Sequence, residues 1–287
     1  MKPIKSLIIL LLIVVSNYSC TSDSNSDSTD FVDLEAKVET NVSYGDHESQ
    51  TYDIYLPAHR DIDTKTLILV HGGGWTSGDK ADMNDFVELI QKDLPNLAIL
   101  NMNYRLADDT SEAYPMQIND ITAVVNQFNA NINDYQISSD FGFIGTSAGA
   151  HLAMLWSYAF NENQQAKMVC SIVGPTNFTD PEYLENVDSE ISLLLTHVYG
   201  LELSTAFLEK VSPYHQVTED APPTILFYGG KDDLVPTSQG AMLQSKLQDL
   251  GVMHEYTLYP EEGHGWTGIE LLDTWSKLKT FIGAHLE

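Results

Sequence analysis

Four short stretches of this 287-residue chain combine residue types and spacings that could do chemistry. The first is Gly145-Thr146-Ser147-Ala148-Gly149, a G-x-S-x-G pentapeptide. An apolar run at 141–144 leads into it, and helix formers at 148–156 lead out. Strand, sharp turn and helix in that order hold a serine in a strained backbone conformation, with its hydroxyl above the strand end. Glycines at 145 and 149 carry no Cβ, so the strand and helix can close on either side. A serine hydroxyl is a weak nucleophile and needs a base.

The base must be a histidine downstream, preceded by an acid, if the order is serine, acid, histidine. His151, His197, His215, His254, His264 and His285 follow Ser147. His264 stands between two glycines in Glu262-Gly263-His264-Gly265-Trp266, after the last strand-like run. Its imidazole has room to reach the serine. His151 is too close along the helix to approach Ser147 from the far side and reads as a packing residue beneath the site. His254 opens a strand and reads as structural, while His197 and His215 read as surface residues. The acid belongs in Gly229-Gly230-Lys231-Asp232-Asp233-Leu234-Val235-Pro236. Asp232 or Asp233 could orient His264 and stabilise its imidazolium. Either could instead cap the helix that starts near Thr237. The fourth stretch is His71-Gly72-Gly73-Gly74-Trp75. Its side-chain-free amides suit an oxyanion hole, formed by the N–H groups of Gly73 and Gly74 with that of Ala148. Trp75 and Trp266 flank this machinery as candidate walls of a substrate pocket.

The elements that must position these residues alternate. Strand patterns fall at 39–44, 51–56, 66–70, 97–102, 141–144, 168–173, 224–228 and 254–259. Tyr52, Ile54 and Leu56 alternate with polar neighbours, as in a half-buried antiparallel strand. Residues 66–70 read as a strand covered on both faces. Helical periodicity marks 82–92, 116–128, 148–156, 237–250 and 269–285. Such alternation predicts an α/β fold with a mostly parallel central sheet and helices on both faces. Residues 176–223 contain no strand pattern and two helical patches, at 190–199 and 205–211, and read as a small helical cap over the strand ends.

Composition bounds the partners. There are 41 acidic and 14 basic residues, a net charge of −27, which argues against nucleic acid and anionic membrane surfaces. Lys2, Lys5 and the apolar run 7–15 form an export signal too short to span a bilayer. Ser19-Cys20 resembles the end of a bacterial lipobox, although Asn17 and Tyr18 replace its usual small or aliphatic residues. The resemblance implies a signal peptide over 1–19, a lipidated Cys20 and attachment to a bacterial envelope membrane; the alternative is an ordinary signal cleavage and secretion. Residues 20–30 read as a disordered acidic linker before one domain over 31–287. Cys170 has no second cysteine in that domain to pair with and reads as a buried core residue. H-E-x-x-H, C-x-x-C and dinucleotide fingerprints are missing, so neither metal nor organic cofactor is expected.

Taken together the motifs resemble an α/β-hydrolase of the hormone-sensitive-lipase and bacterial esterase type, and most of all small secreted carbohydrate-directed feruloyl and acetyl esterases. The likeness runs from Tyr52 onward and rests on HGGGW at 71–75, NYRLA at 103–107, Tyr114-Pro115 with Asp120, GTSAGAHLA at 145–153, GPTNFTD at 174–180, GGKDDLVP at 229–236 and EGHGW at 262–266. It implies a serine esterase with Ser147, Asp232 and His264 as its triad, and favours Asp232 over Asp233. The chain departs from the family at Ala150, where a second glycine is usual, at Asn177, where aspartate is common, and at Tyr228, where histidine often stands. The expected substrate is a small ester or an esterified carbohydrate. An amide hydrolase, as a peptidase or formamidase-like enzyme, would use the same triad. A carbohydrate-binding surface protein that keeps the fold without catalysis is the alternative of another class.

Overall fold

The computed structural model describes residues 34–184 and 204–286. The expected signal peptide, Cys20, the linker 20–30 and the helical patch at 190–199 with His197 lie outside the described residues.

Eight strands form one sheet: β1 (Lys37–Ser43), β2 (Thr51–Leu56), β3 (Thr66–Val70), β4 (Ala98–Met102), β5 (Phe141–Thr146), β6 (Ala166–Ile172), β7 (Thr224–Gly229) and β8 (His254–Tyr259). Their spatial order is β1-β2-β4-β3-β5-β6-β7-β8. β2 runs antiparallel to both β1 and β4, and the remaining pairs are parallel. The helices are α1 (Asn84–Asp93), α2 (Ala113–Tyr135), α3 (Ala148–Ala159), α4 (Pro181–Leu184), α5 (Thr205–Lys210), α6 (Pro213–Gln216), α7 (Thr237–Leu250) and α8 (Ile269–His285).

Strand alternation sorts the core into two layers. Ile68 and Val70 of β3 join a cluster with Ile121 and Phe128 of α2, Leu152 of α3 and Leu243 of α7. Leu67 and Leu69 face the other way, toward Val87 and Ile90 of α1 and Leu278 and Phe281 of α8. That double cover is why all five residues of β3 are buried. Cys170 is fully buried in the second layer, as expected, and burial pushes its thiol up.

Two helices differ from their sequence patterns. The pattern at 82–92 divides into a 3-10 turn, Lys80–Met83, capped by Asp79, and then α1. α2 continues seven residues past Phe128, because Ile132 and Tyr135 extend its apolar face and no glycine or proline stops it.

The strand order places the chemistry. From β3 the chain moves to β4 on one side, then crosses to β5 on the other. The loops after β3 and β5 therefore flank a topological switch point, where open sheets of this kind bind ligands. The glycine run follows β3 and Ser147 follows β5. The aspartate turn follows β7 and His264 follows β8, also neighbours, so all four stretches meet at the carboxyl edge.

Candidate active site

Ser147 sits at φ 50°, ψ −120°, between β5 and α3. Two close approaches enforce the turn. A Cβ on Gly149 would lie 2.2 Å from the carbonyl oxygens of Val70 and His71, and one on Gly145 would lie 2.6 Å from the backbone of Ala150. A serine in this position ordinarily accepts a hydrogen bond from an amide of the helix's first turn. Ser147 makes no such bond. Its hydroxyl points instead to His264, with 2.9 Å between Oγ and Nε2.

The other face of that imidazole meets the acid. His264 Nδ1 is 2.8 Å from Asp232 Oδ2. A carboxylate oxygen on Nδ1 holds the ring proton there and leaves Nε2 to accept from the serine. The Asp232 side chain is wholly buried, and its Oδ1 accepts from the amides of Leu234 and Val235, each at 2.9 Å. Asp233 is exposed and makes no bond to the histidine. Neither aspartate caps α7, whose N-cap is Pro236 with no side-chain bond. Asp232 braces its own turn instead.

Gly73, Gly74, Trp75, Ser147 and His264 line one cavity of about 380 Å³, closed on its apolar side by Pro175, Leu234 and Val235. The Gly73 and Gly74 amides, and that of Ala148 at the first position of α3, donate to no acceptor among the described residues. Gly73, Gly74 and Trp75 all have positive φ, at 109°, 56° and 63°. The loop is braced from behind. The Trp75 carbonyl accepts from Ala107 N at 2.9 Å and Gln117 Nε2 at 2.7 Å. Tyr104 stacks on His71 at 4.2 Å and donates to its carbonyl. Buried Asp120 holds Arg105 through its backbone N–H and its guanidinium, and also accepts from Gln50. Burial holds the His71 imidazole below its ordinary range.

Two expectations change, and one residue is added. Trp75 lines the cavity, but Trp266 does not. Two residues past His264 the loop has turned onto the α1 and α8 layer, where the Trp266 indole lies over Tyr259 and donates to Thr274. His151 is more than a packing residue: both ring nitrogens are hydrogen-bonded, to Trp75 and to the Val211 carbonyl. Its burial pushes the imidazole down to about 4, against the opposing effect of that carbonyl. Gln117 was not singled out in the sequence. Its signal was a polar residue on the buried face of an amphipathic helix.

The departures from the family pattern are accommodated locally. The Tyr228 hydroxyl donates to the Gly174 carbonyl at 2.6 Å, steadying the segment that carries Pro175. The Ala150 methyl group faces Gly174, which lacks the Cβ that would collide with it.

Esterase LipC of Mycobacterium tuberculosis is 27% identical over 253 residues, which are 81% of this chain and 60% of that protein. The isoprenylcysteine alpha-carbonyl methylesterase ICME of Arabidopsis thaliana is 26% identical over 79% of this chain and 56% of its own length. The chain thus spans little more than half of these relatives. A truncated form of a carbohydrate esterase from gut microbiota superposes with a TM-score of 0.70 at 21% identity, covering 87% of this chain and 98% of that one. The shared architecture is the α/β-hydrolase fold. The BD-FAE family pattern matches residues 52–247, which takes in the glycine run, the serine elbow and the aspartate turn, and the chain belongs to that family.

Proposed function

We propose that the protein is a serine carboxylic-ester hydrolase that works through an acyl-enzyme, with acyl or feruloyl esters of carbohydrate as its substrates. One observation carries this reading: an unbroken hydrogen-bonded chain from Ser147 through His264 to buried Asp232, set against glycine-loop amides that have no acceptor among the described residues. Ser147 Oγ attacks the ester carbonyl carbon while its proton passes to His264 Nε2. Asp232 holds the ring in the required tautomer and stabilises the imidazolium. The carbonyl oxygen becomes an oxyanion facing the N–H groups of Gly73, Gly74 and Ala148, at the positive end of α3. The tetrahedral centre collapses, the alcohol leaves with the proton from His264, and water repeats the sequence to release the acid.

The names of the esterase relatives support ester chemistry. Likeness in fold to a carbohydrate esterase supports a carbohydrate alcohol. We also propose export and anchoring through Cys20, supported by Lys2, Lys5 and the apolar run that follows. Purified protein assayed on acetyl, butyryl and feruloyl esters, and on a peptide amide, tests the reading. Ester turnover that disappears in folded Ser147→Ala is the expected result. Ester turnover that survives this change would refute it, and faster amide than ester hydrolysis would replace it with an amidase.

A further inference from the structure

We propose that His151 is a positioning residue that keeps the two halves of the oxyanion hole in register. The inference rests on the hydrolase reading above. One half of the hole, the Ala148 amide, belongs to α3. The other half, the Gly73 and Gly74 amides, belongs to the loop after β3. His151 lies one turn along α3 from Ala148 and is almost wholly buried. Its Nδ1 accepts from Trp75 Nε1 at 3.1 Å, and its Nε2 donates to the Val211 carbonyl at 2.7 Å. An indole N–H only donates and a carbonyl only accepts, so these partners determine the tautomer without ambiguity. The ring also packs edge-on against Trp75 at 5.3 Å and tilted against Phe178 at 5.0 Å. It is a buried strut joining α3 to the loop and to the segment between α5 and α6.

The loop needs such a strut. Gly73, Gly74 and Trp75 form three consecutive residues at positive φ. Glycine adopts this region freely, whereas a tryptophan there is strained, and such a conformation persists only where its surroundings impose it. The Trp75 carbonyl is held by Ala107 and Gln117, and the far end of its side chain by His151. Releasing the indole lets Trp75 relax toward negative φ. That rotation swings the peptides on its N-terminal side, and the Gly73 and Gly74 amides move with them. Substrate binding in the apolar part of the cavity is largely preserved, but stabilisation of the developing negative charge is not. The defect therefore falls on kcat.

The test compares His151→Phe, Trp75→Phe, the double variant and His151→Gln with the wild type. It measures kcat and KM on a p-nitrophenyl ester, and folding by circular dichroism and urea unfolding. Removing one oxyanion donor lowers kcat by roughly 10²–10³-fold, so displacing donors should lower it by about 10–100-fold. We expect that loss in His151→Phe with KM changed less than about threefold, and a double variant no worse than the weaker single. His151→Gln, whose amide oxygen can accept from Trp75, should recover part of the loss. Unchanged kcat in folded His151→Phe, multiplying losses in the double variant, or a change confined to KM would each overturn the proposal. If His151→Phe does not fold, His151→Gln with and without Trp75→Phe gives the same non-additivity test. The Trp75 indole N–H resonance, assigned through Trp75→Phe, should move upfield in His151→Phe whether or not the protein hydrolyses esters. Loss of the hydrolase reading would instead show as Ser147→Ala matching the wild type.

Discussion

Asp232→Asn changes one atom and should inactivate the protein through a tautomer. The carboxylate is asymmetric: Oδ1 takes the Leu234 and Val235 amides, and Oδ2 takes His264. An asparagine must keep its oxygen toward the two amides. Flipping it would set an NH2 against two partly buried N–H donors, at about 1–3 kcal/mol for each unmade bond. Its NH2 therefore faces His264 and donates to Nδ1, which moves the ring proton to Nε2. That nitrogen then presents a hydrogen to Ser147 and cannot take the serine proton. Restoring the working tautomer sacrifices the new bond, and the imidazolium loses its anionic neighbour. Together these effects amount to about 4–5.5 kcal/mol in the barrier, or a 10³–10⁴-fold fall in kcat. Asp233→Asn, in an exposed side chain, should stay within about twofold. The assay is kcat on a p-nitrophenyl ester, normalised to folded protein by urea unfolding. A folded Asp232→Asn protein that keeps more than a tenth of wild-type kcat, or an Asp233→Asn protein that is the worse of the two, would refute the reasoning.

Gly149→Ala places a methyl 2.2 Å from two backbone oxygens that cannot rotate aside. It should lower stability by about 3 kcal/mol, read from the urea midpoint, and a neutral effect would mean the helix is not seated on β3 as described. His151 has its pKa lowered to about 4 in the fold and near 6.5 when unfolded. Between those values the unfolded chain binds the extra proton, so this contribution to stability is complete above the unfolded pKa and is lost as pH falls toward the folded one. About 2 kcal/mol present at pH 7.5 should be gone at pH 5, and His151→Gln should show a correspondingly smaller loss in paired urea titrations. Equal losses in both proteins would contradict a neutral buried ring. Radiolabelled palmitate should be incorporated into the full chain expressed in a lipoprotein-processing bacterium and not into Cys20→Ser. Equal labelling of both would remove the anchor.

Much of the fold was legible in the sequence because it is written in short-range patterns. Period-two alternation in β2 and the all-apolar β3 told which strands have one or two covered faces. Glycines at 145 and 149 marked an elbow by their spacing around Ser147, although the contact that requires Gly149 is made by the distant Val70 and His71 carbonyls. The order of the four motifs, each after a strand, followed from the alternation of elements. Pairings over long separations were not legible. Asp232 and Asp233 are the same residue type in the same turn, and motif likeness alone favoured the first. The tertiary structure buries one against His264 and exposes the other. Trp75 and Trp266 looked equivalent beside the machinery until the sheet put one in the cavity and the other against α8. His151 finds its partners 76 residues upstream and 60 downstream. Trp75 comes within reach because β3 and β5 are neighbours in the sheet although β4 lies between them in the chain. Local chemistry sets what a residue can do, and strand order decides which residue it meets.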